Sequence, residues 1–168
     1  MPKIAPEASS KFLGKKAPAF SLPDQDGKTH KLAAYKGKWV VLFWYPKDDT
    51  PGCTAESCGF RDQSAEYGRR NAVVLGISIL DPASKRKFAA KHGLNFPLLA
   101  DEDHAVAEAY GVWVEKSMYG KKYMGVSRET FVIDPDGRIA AHWPKAAGSE
   151  SHAGEVLAKL EELQSGRA

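Results

Sequence analysis

Residues 38–60 read KWVVLFWYPKDDTPGCTAESCGF. The first part, Trp39 to Tyr45, is an unbroken apolar run, the pattern of a strand buried on both faces, and Pro46 ends it. Thr50 then suits a helix N-cap, and Pro51 suits the first helical position, where its missing N–H costs nothing. The pattern predicts a helix from about Thr50 to Tyr67, closed by Gly68. A doubly buried strand feeding a helix across a tight Pro/Gly turn is an α/β unit, and the rest of the chain extends it.

Upstream, AFSLPDQDGKTHKL (19–32) predicts two short extended segments around an Asp26-Gly27 turn. Downstream, NAVVLGISIL (71–80) is a second buried strand, and SKRKFAAKHGL (84–94) a helix with Gly93 at its end. FPLLAD (96–101) reads as a short strand and DHAVAEAYGV (103–112) as a helix. RETFVIDPDGRIAAHWP (128–144) is a hairpin turning at Asp136-Gly137. The final helix places Val156, Leu157, Leu160 and Leu163 on one face. The order predicts a three-layer α/β/α domain with an N-terminal β-hairpin and a mixed central sheet. Residues 1–10 are expected to be a loose tail and 11–168 a single domain.

The 168 residues suffice for a substantial core without disulfide staples. A formal charge of +3, from scattered basic residues, gives no footprint for nucleic acid. No apolar stretch reaches the ~20 residues of a membrane span, and the N-terminal residues have no apolar signal core. The expected location is the cytoplasm, where a lasting structural disulfide is disfavoured and a transient one is catalytic or redox-sensing.

Only two cysteines occur, Cys53 and Cys58. They could be inert core residues, metal ligands or redox groups. Composition favours the first, since free cysteine is among the most buried residue types. Position favours the last: Cys53 falls in the first turn of the predicted helix, where unpaired N–H groups and the helix dipole stabilise a thiolate. Two thiols are too few for structural zinc, and the five histidines (30, 92, 104, 142 and 152) offer no pair at helical ligand spacing. On an intact helix, residues five apart have Cα atoms about 8.7 Å apart, beyond the roughly 4.4–6.8 Å a disulfide tolerates. Cys53 and Cys58 can bond only if the helix unwinds. Gly59, costing about 1 kcal/mol relative to alanine within a helix, is expected to ease that unwinding.

The pattern Pro46-x-x-x-Thr50-x-x-Cys53 behind a buried strand resembles the active-site signature of the peroxiredoxins, the thiol peroxidases. The wider stretches YPKDDTPGCTAESCGFRD (45–62) and MYGKKYMGVSRETFVID (118–134) are similar to the bacterioferritin comigratory protein, or peroxiredoxin Q, subfamily. The four-residue spacer between the cysteines is characteristic of one branch of it. The resemblance spans about Lys15 to Leu163 and implies a thioredoxin-like fold that reduces hydrogen peroxide and organic hydroperoxides. It implies Cys53 as the peroxidatic cysteine, passing through a sulfenic acid, and Cys58 as the resolving cysteine of an intramolecular disulfide. It further implies that Thr50 bonds the sulfur and the peroxide, that Pro46 shields the site, and that Arg128 lies beside the thiolate. Gly52 is expected in the substrate-binding turn, Tyr45 reads as a core residue that also walls the peroxide site, and the resemblance implies that Glu56 contributes hydrogen bonds. Thioredoxin is the implied reductant of a monomeric enzyme needing neither metal nor organic cofactor. A non-catalytic redox sensor, whose helix unwinds on oxidation, is the alternative.

The chemistry demands more than a thiolate. Raising a thiolate fraction of a few per cent ten- to twenty-fold is worth under about 2 kcal/mol, whereas enzymes commonly remove about 8 kcal/mol or more. Donors aimed at the parting peroxide oxygens must supply the rest. By itself Arg128 reads as an exposed or ion-paired arginine, Asp48 and Asp49 as a solvated loop, and Glu56 as a helix-surface carboxylate. Gly120 to Ser127 lacks the lysine of a phosphate loop, and Asp101 to His104 suits a helix entry better than a metal cluster.

Overall fold

The computed structural model describes Pro6 and residues 10–166. The expected loose tail, residues 1–10, lies outside the described residues except for Pro6 and Ser10. The Ser10 hydroxyl stands 2.7 Å from Nδ1 of His142.

Strands β1 (Ser21–Pro23) and β2 (Thr29–Lys31) pair antiparallel around the Asp26-Gly27 turn, and a 3-10 turn follows at Leu32–Tyr35. Strand β3 (Trp39–Trp44) is buried along its whole length, as its apolar run predicts. It lies at the centre of a five-stranded sheet of order β5-β4-β3-β8-β9. Strands β4 (Ala72–Ser78) and β5 (Leu98–Ala100) complete its parallel half. Strands β8 (Glu129–Ile133) and β9 (Ile139–Trp143) form the antiparallel hairpin on the other side.

The period of two in β3 divides the core. Trp39, Val41, Phe43 and Tyr45 pack with residues from α1 (Pro51–Asp62), α2 (Ser64–Arg69), α3 (Pro82–His92) and α5 (Ser151–Ser165). Val40, Leu42 and Trp44 pack with the N-terminal segment and α4 (Ala105–Ala109). The mixed sheet with helical layers is the thioredoxin-like α/β architecture expected. The α5 stripe also lies inward: Val156, Leu157 and Leu160 are buried and Leu163 packs at the margin.

Two local expectations need correction, and one element was not foreseen. The helix after Thr50 is not continuous to Tyr67 but breaks at Gln63, giving α1 and α2. Gly68 does not close it; it lies within α2, and Asn71 takes the left-handed conformation beyond the end, at φ 57°. Asparagine tolerates that region better than most residues. Residues 113–126 form a further hairpin, β6 (Trp113–Met118) with β7 (Lys121–Val126), turning at Tyr119-Gly120 with both φ positive. The amphipathic alternation there is weak because the hairpin stands apart from the main sheet, leaving Met118, Tyr119, Tyr123 and Met124 exposed.

Gly59 also has a different structural basis from the one its helix propensity suggests. A Cβ at this position would lie 2.4 Å from the carbonyl oxygen of Glu150, so α1 touches the start of α5 backbone to backbone. Propensity alone makes Gly59→Ala stabilising by about 1 kcal/mol. We expect the opposite, a net loss of about 1–3 kcal/mol from overpacking, read as a lower urea midpoint.

Candidate active site

The end of β3 delivers the chain through Pro46–Thr50 into α1. Thr50 is the extended N-cap (φ −87°, ψ 156°) with Pro51 after it, as the sequence predicts, but its side chain caps nothing. Instead Thr50 Oγ1 donates to the carbonyl of Lys47 at 3.1 Å. Pro46 and Thr50 are half-buried beside the turn. Cys53 is fully buried in the first turn of α1, and Cys58 is buried one and a half turns on. Both thiols are free, and the helix between them is intact.

Arg128, carried between β7 and β8, brings its guanidinium into this turn. Its Nη2 lies 3.2 Å from Cys53 Sγ, and its Nη1 donates to Glu56 Oε1 at 2.8 Å. Cys53 and Glu56, three residues apart, share the helix face that one planar fork spans. Gly52 leaves room for this fit: a Cβ there would meet Arg128 Nη2 at 3.1 Å, closer than an ordinary contact. Gly148, which sequence reasoning overlooked, lies against Gly52 and the same guanidinium, where a Cβ would come within 3.2 Å of the guanidinium. Arg128 is thus no exposed surface arginine; about one-fifth of its side chain remains accessible.

Glu56 is the larger surprise. Instead of a surface carboxylate it is completely buried. Burial pushes its pKa up to about 8, with Arg128 only partly offsetting the cost. Near neutral pH it therefore keeps its proton, accepts from Arg128 as a neutral acid, and leaves the guanidinium charge to the sulfur. Beyond it stands His152, also fully buried. Its Nε2 is 2.9 Å from Thr130 Oγ1 and 3.8 Å from Glu56 Oε2. Burial, followed by the nearby Arg128 charge, lowers the His152 pKa to about 4, so the ring is neutral. In the sequence His152 was one of five scattered histidines; its place on the inward face of the last amphipathic helix was the available signal.

The loop before α1 has its own anchor. Tyr45 is core, and its hydroxyl donates to Asp48 Oδ1 at 2.6 Å. Asp48, expected to be solvated, is buried. It also accepts from Ser84 Oγ at 2.7 Å and lies 3.5 Å from Lys85 Nζ. Lys85, wholly buried on α3, in turn donates to Ser78 of β4. Burial draws its pKa down to about 8 while Asp48 supports the charge. Asp49, in contrast, is exposed as expected and pairs with Lys91 and His92.

Two stability measurements check this account. Below pH 4.5 Glu56 is protonated in both folded and unfolded chains; from there to about pH 8 only the unfolded chain releases the proton. The folded chain therefore loses stability over that interval, and Glu56→Gln abolishes the loss. Its unfolding free energy from urea titration should gain on the wild type from pH 5 to 8 by on the order of 1 kcal/mol per pH unit. Separately, Lys85→Met leaves Asp48 buried without its cation and should cost about 3–5 kcal/mol. The pair Lys85→Met with Asp48→Asn should recover much of that in the same urea titration.

The sequence profile of the AhpC/TSA family matches residues 13–142. A putative peroxiredoxin Bcp of Coxiella burnetii is 48% identical over 148 residues, 88% of this chain and 97% of its own. The peroxiredoxin Bcp of Bacillus subtilis is 44% identical over 151 residues, 90% and 96% of the two chains. The bacterioferritin comigratory protein of Xanthomonas campestris, solved as trapped intermediate and ligand complexes bearing on its alkyl peroxide reduction, superposes with a TM-score of 0.79. It is 37% identical, over 86% of this chain and 91% of that one. With the signature cysteine set in a helix's first turn against a guanidinium, the chain belongs to the AhpC/TSA family, among the peroxidase oxidoreductases of the peroxiredoxin Bcp, or peroxiredoxin Q, type.

Proposed function

We propose that this peroxiredoxin reduces hydrogen peroxide and organic hydroperoxides through Cys53 and Cys58, working as a cytoplasmic monomer recycled by thioredoxin. The observation that carries the reading is the 3.2 Å contact between Arg128 Nη2 and Cys53 Sγ. A guanidinium there serves two ends: it favours the anionic sulfur, and its remaining N–H groups face the oxygens of a peroxide brought to that sulfur.

The Cys53 thiolate attacks one peroxide oxygen. The O–O bond breaks, the departing oxygen takes a proton to leave as water or an alcohol, and Cys53 becomes a sulfenic acid. A hydroperoxide enters beside the part-exposed Arg128, with Gly52 giving the backbone its close approach and Pro46 and Thr50 bordering the turn. Rotation of Thr50 Oγ1 away from the Lys47 carbonyl would let it bond the sulfur or the peroxide. Tyr45 walls the site and Glu56 holds the guanidinium in plane. The first turns of α1 then unwind, and the Cys58 sulfur displaces water from the sulfenic acid to form a disulfide. Thioredoxin reopens it by thiol–disulfide exchange, its own dithiol becoming oxidised.

Stopped-flow oxidation followed by mass mapping tests the assignment. Cys53→Ser should abolish peroxide consumption. Cys58→Ser should still consume one equivalent of peroxide yet lose most thioredoxin-linked turnover. Undiminished turnover in Cys58→Ser would remove its resolving role. Arg128→Lys keeps the charge but loses the planar fork, and should slow oxidation by at least about tenfold.

A further inference from the structure

One short segment, Gly148–His152, meets α1 on either side of its two cysteines. At one end Gly148 lies against Gly52: a Cβ on Gly148 would come 3.1 Å from the Gly52 Cα. At the other, Glu150 presents its backbone to Gly59, with no room for a Cβ. Between them His152 enters the core edge-on to Phe60 of α1 and to Trp143, both at 5.9 Å between ring centres. It is 3.8 Å from Glu56. Just beyond, the Ala153 carbonyl accepts from the Tyr67 hydroxyl of α2 at 2.6 Å.

These contacts are tight yet incompletely satisfied. Among the described residues, His152 Nδ1 and Glu56 Oε2 find no hydrogen-bond partner although both are buried. Buried polar atoms left so are costly, which keeps the seat of His152 shallow. The glycine contacts are close but contribute little apolar area, so parting them costs little hydrophobic stabilisation.

We propose that Gly148–His152 is a latch on α1 and that His152 is its positioning residue for both chemical steps. Seated, it holds α1 wound, with Cys53 set against Arg128 for attack on the peroxide. Unseated, it frees the segment between Gly52 and Gly59, so that Cys58 reaches the sulfenic acid and water leaves. The inference rests on the roles of Cys53 and Cys58 proposed above. Its consequence is specific: loosening the latch slows the first step and speeds the second.

The test compares the wild type with His152→Ala, His152→Gln and Leu160→Ala. The last cuts a cavity two turns farther along α5 and serves as a control for lost stability. Reduced protein is mixed with hydrogen peroxide, quenched with an alkylating reagent, and the thiol, sulfenic and disulfide forms are resolved by mass. In His152→Ala, disulfide closure should quicken about fivefold, the population change expected of one ordinary hydrogen bond. Peroxide oxidation should slow, and excess peroxide should yield less sulfinic acid. His152→Gln, whose amide nitrogen can replace Nε2 toward Thr130, should return both rate constants toward the wild type. Leu160→Ala should leave their ratio unchanged. Should His152→Ala not fold, His152→Phe, which keeps the ring contacts, makes the same comparison. A ratio in the His152 variant equal to that in Leu160→Ala overturns the latch while leaving the peroxidase reading intact. A wild type that neither oxidises nor closes overturns both.

Discussion

A single guanidinium, divided between a sulfur and a buried carboxyl, is the contact around which this site is built. Arg128 reaches Cys53 with one nitrogen and Glu56 with another, and its planar fork allows both at once. The arrangement works because its partners differ in protonation. Were Glu56 ionised, two anions would compete for one cation; kept neutral by its burial, it orients the fork and leaves the charge to the sulfur. The fold serves this contact closely. The doubly buried β3 sets the position of the turn, α1 places residues 53 and 56 on one face, and the adjoining glycines 52 and 148 leave room for the guanidinium.

Much of this was legible from the chain. Trp39 to Tyr45 announced a central strand because a doubly buried strand has no polar face to alternate with. Thr50-Pro51 announced the helix start because cap and first-turn preferences are local. The identity of Arg128 came from resemblance alone; nothing local distinguishes an arginine aimed at a sulfur from one aimed at water. Glu56 and Asp48 misled for a related reason. A carboxyl's exposure depends on what the rest of the chain lays over it, and here the covering residues are Arg128 and His152 for one, Ser84 and Lys85 for the other. Those partners lie 36 to 96 positions away in sequence. Gly59 misled in a different way. Its helix propensity is local and real, but the reason for glycine there is the Glu150 backbone, which only the tertiary structure supplies.

The loop between β3 and α1 shows how buried hydrogen bonds hold a small site in place. Tyr45, Asp48, Ser84, Lys85 and Ser78 join the end of β3, the loop, α3 and β4 through one chain of hydrogen bonds. A buried ion pair is a poor source of net stability, because desolvation consumes most of its attraction. Its value lies in direction: an Asp48 fixed by three donors leaves the short turn from Pro46 to Thr50 few alternatives. The same turn carries Thr50 and Pro46, which border the proposed peroxide site, so the ion pair acts on chemistry it does not touch.

The two proposed steps place opposite demands on α1, and its residues divide accordingly. Between Gly52 and Gly59 the helix meets α5 through backbone and a part-satisfied histidine, contacts that are exact in shape but shallow in energy. Immediately after Gly59 the character changes. Phe60 is fully buried, stacked on Phe43 at 4.6 Å and set against Tyr67. Removing such a ring from the core costs about 3–5 kcal/mol, several times one hydrogen bond. Unwinding that begins at Thr50 therefore meets its barrier at Phe60. On this proposal the segment that moves is the one holding both sulfurs, and the rest of the helix stays docked as the template to which it returns once the proposed disulfide is reduced.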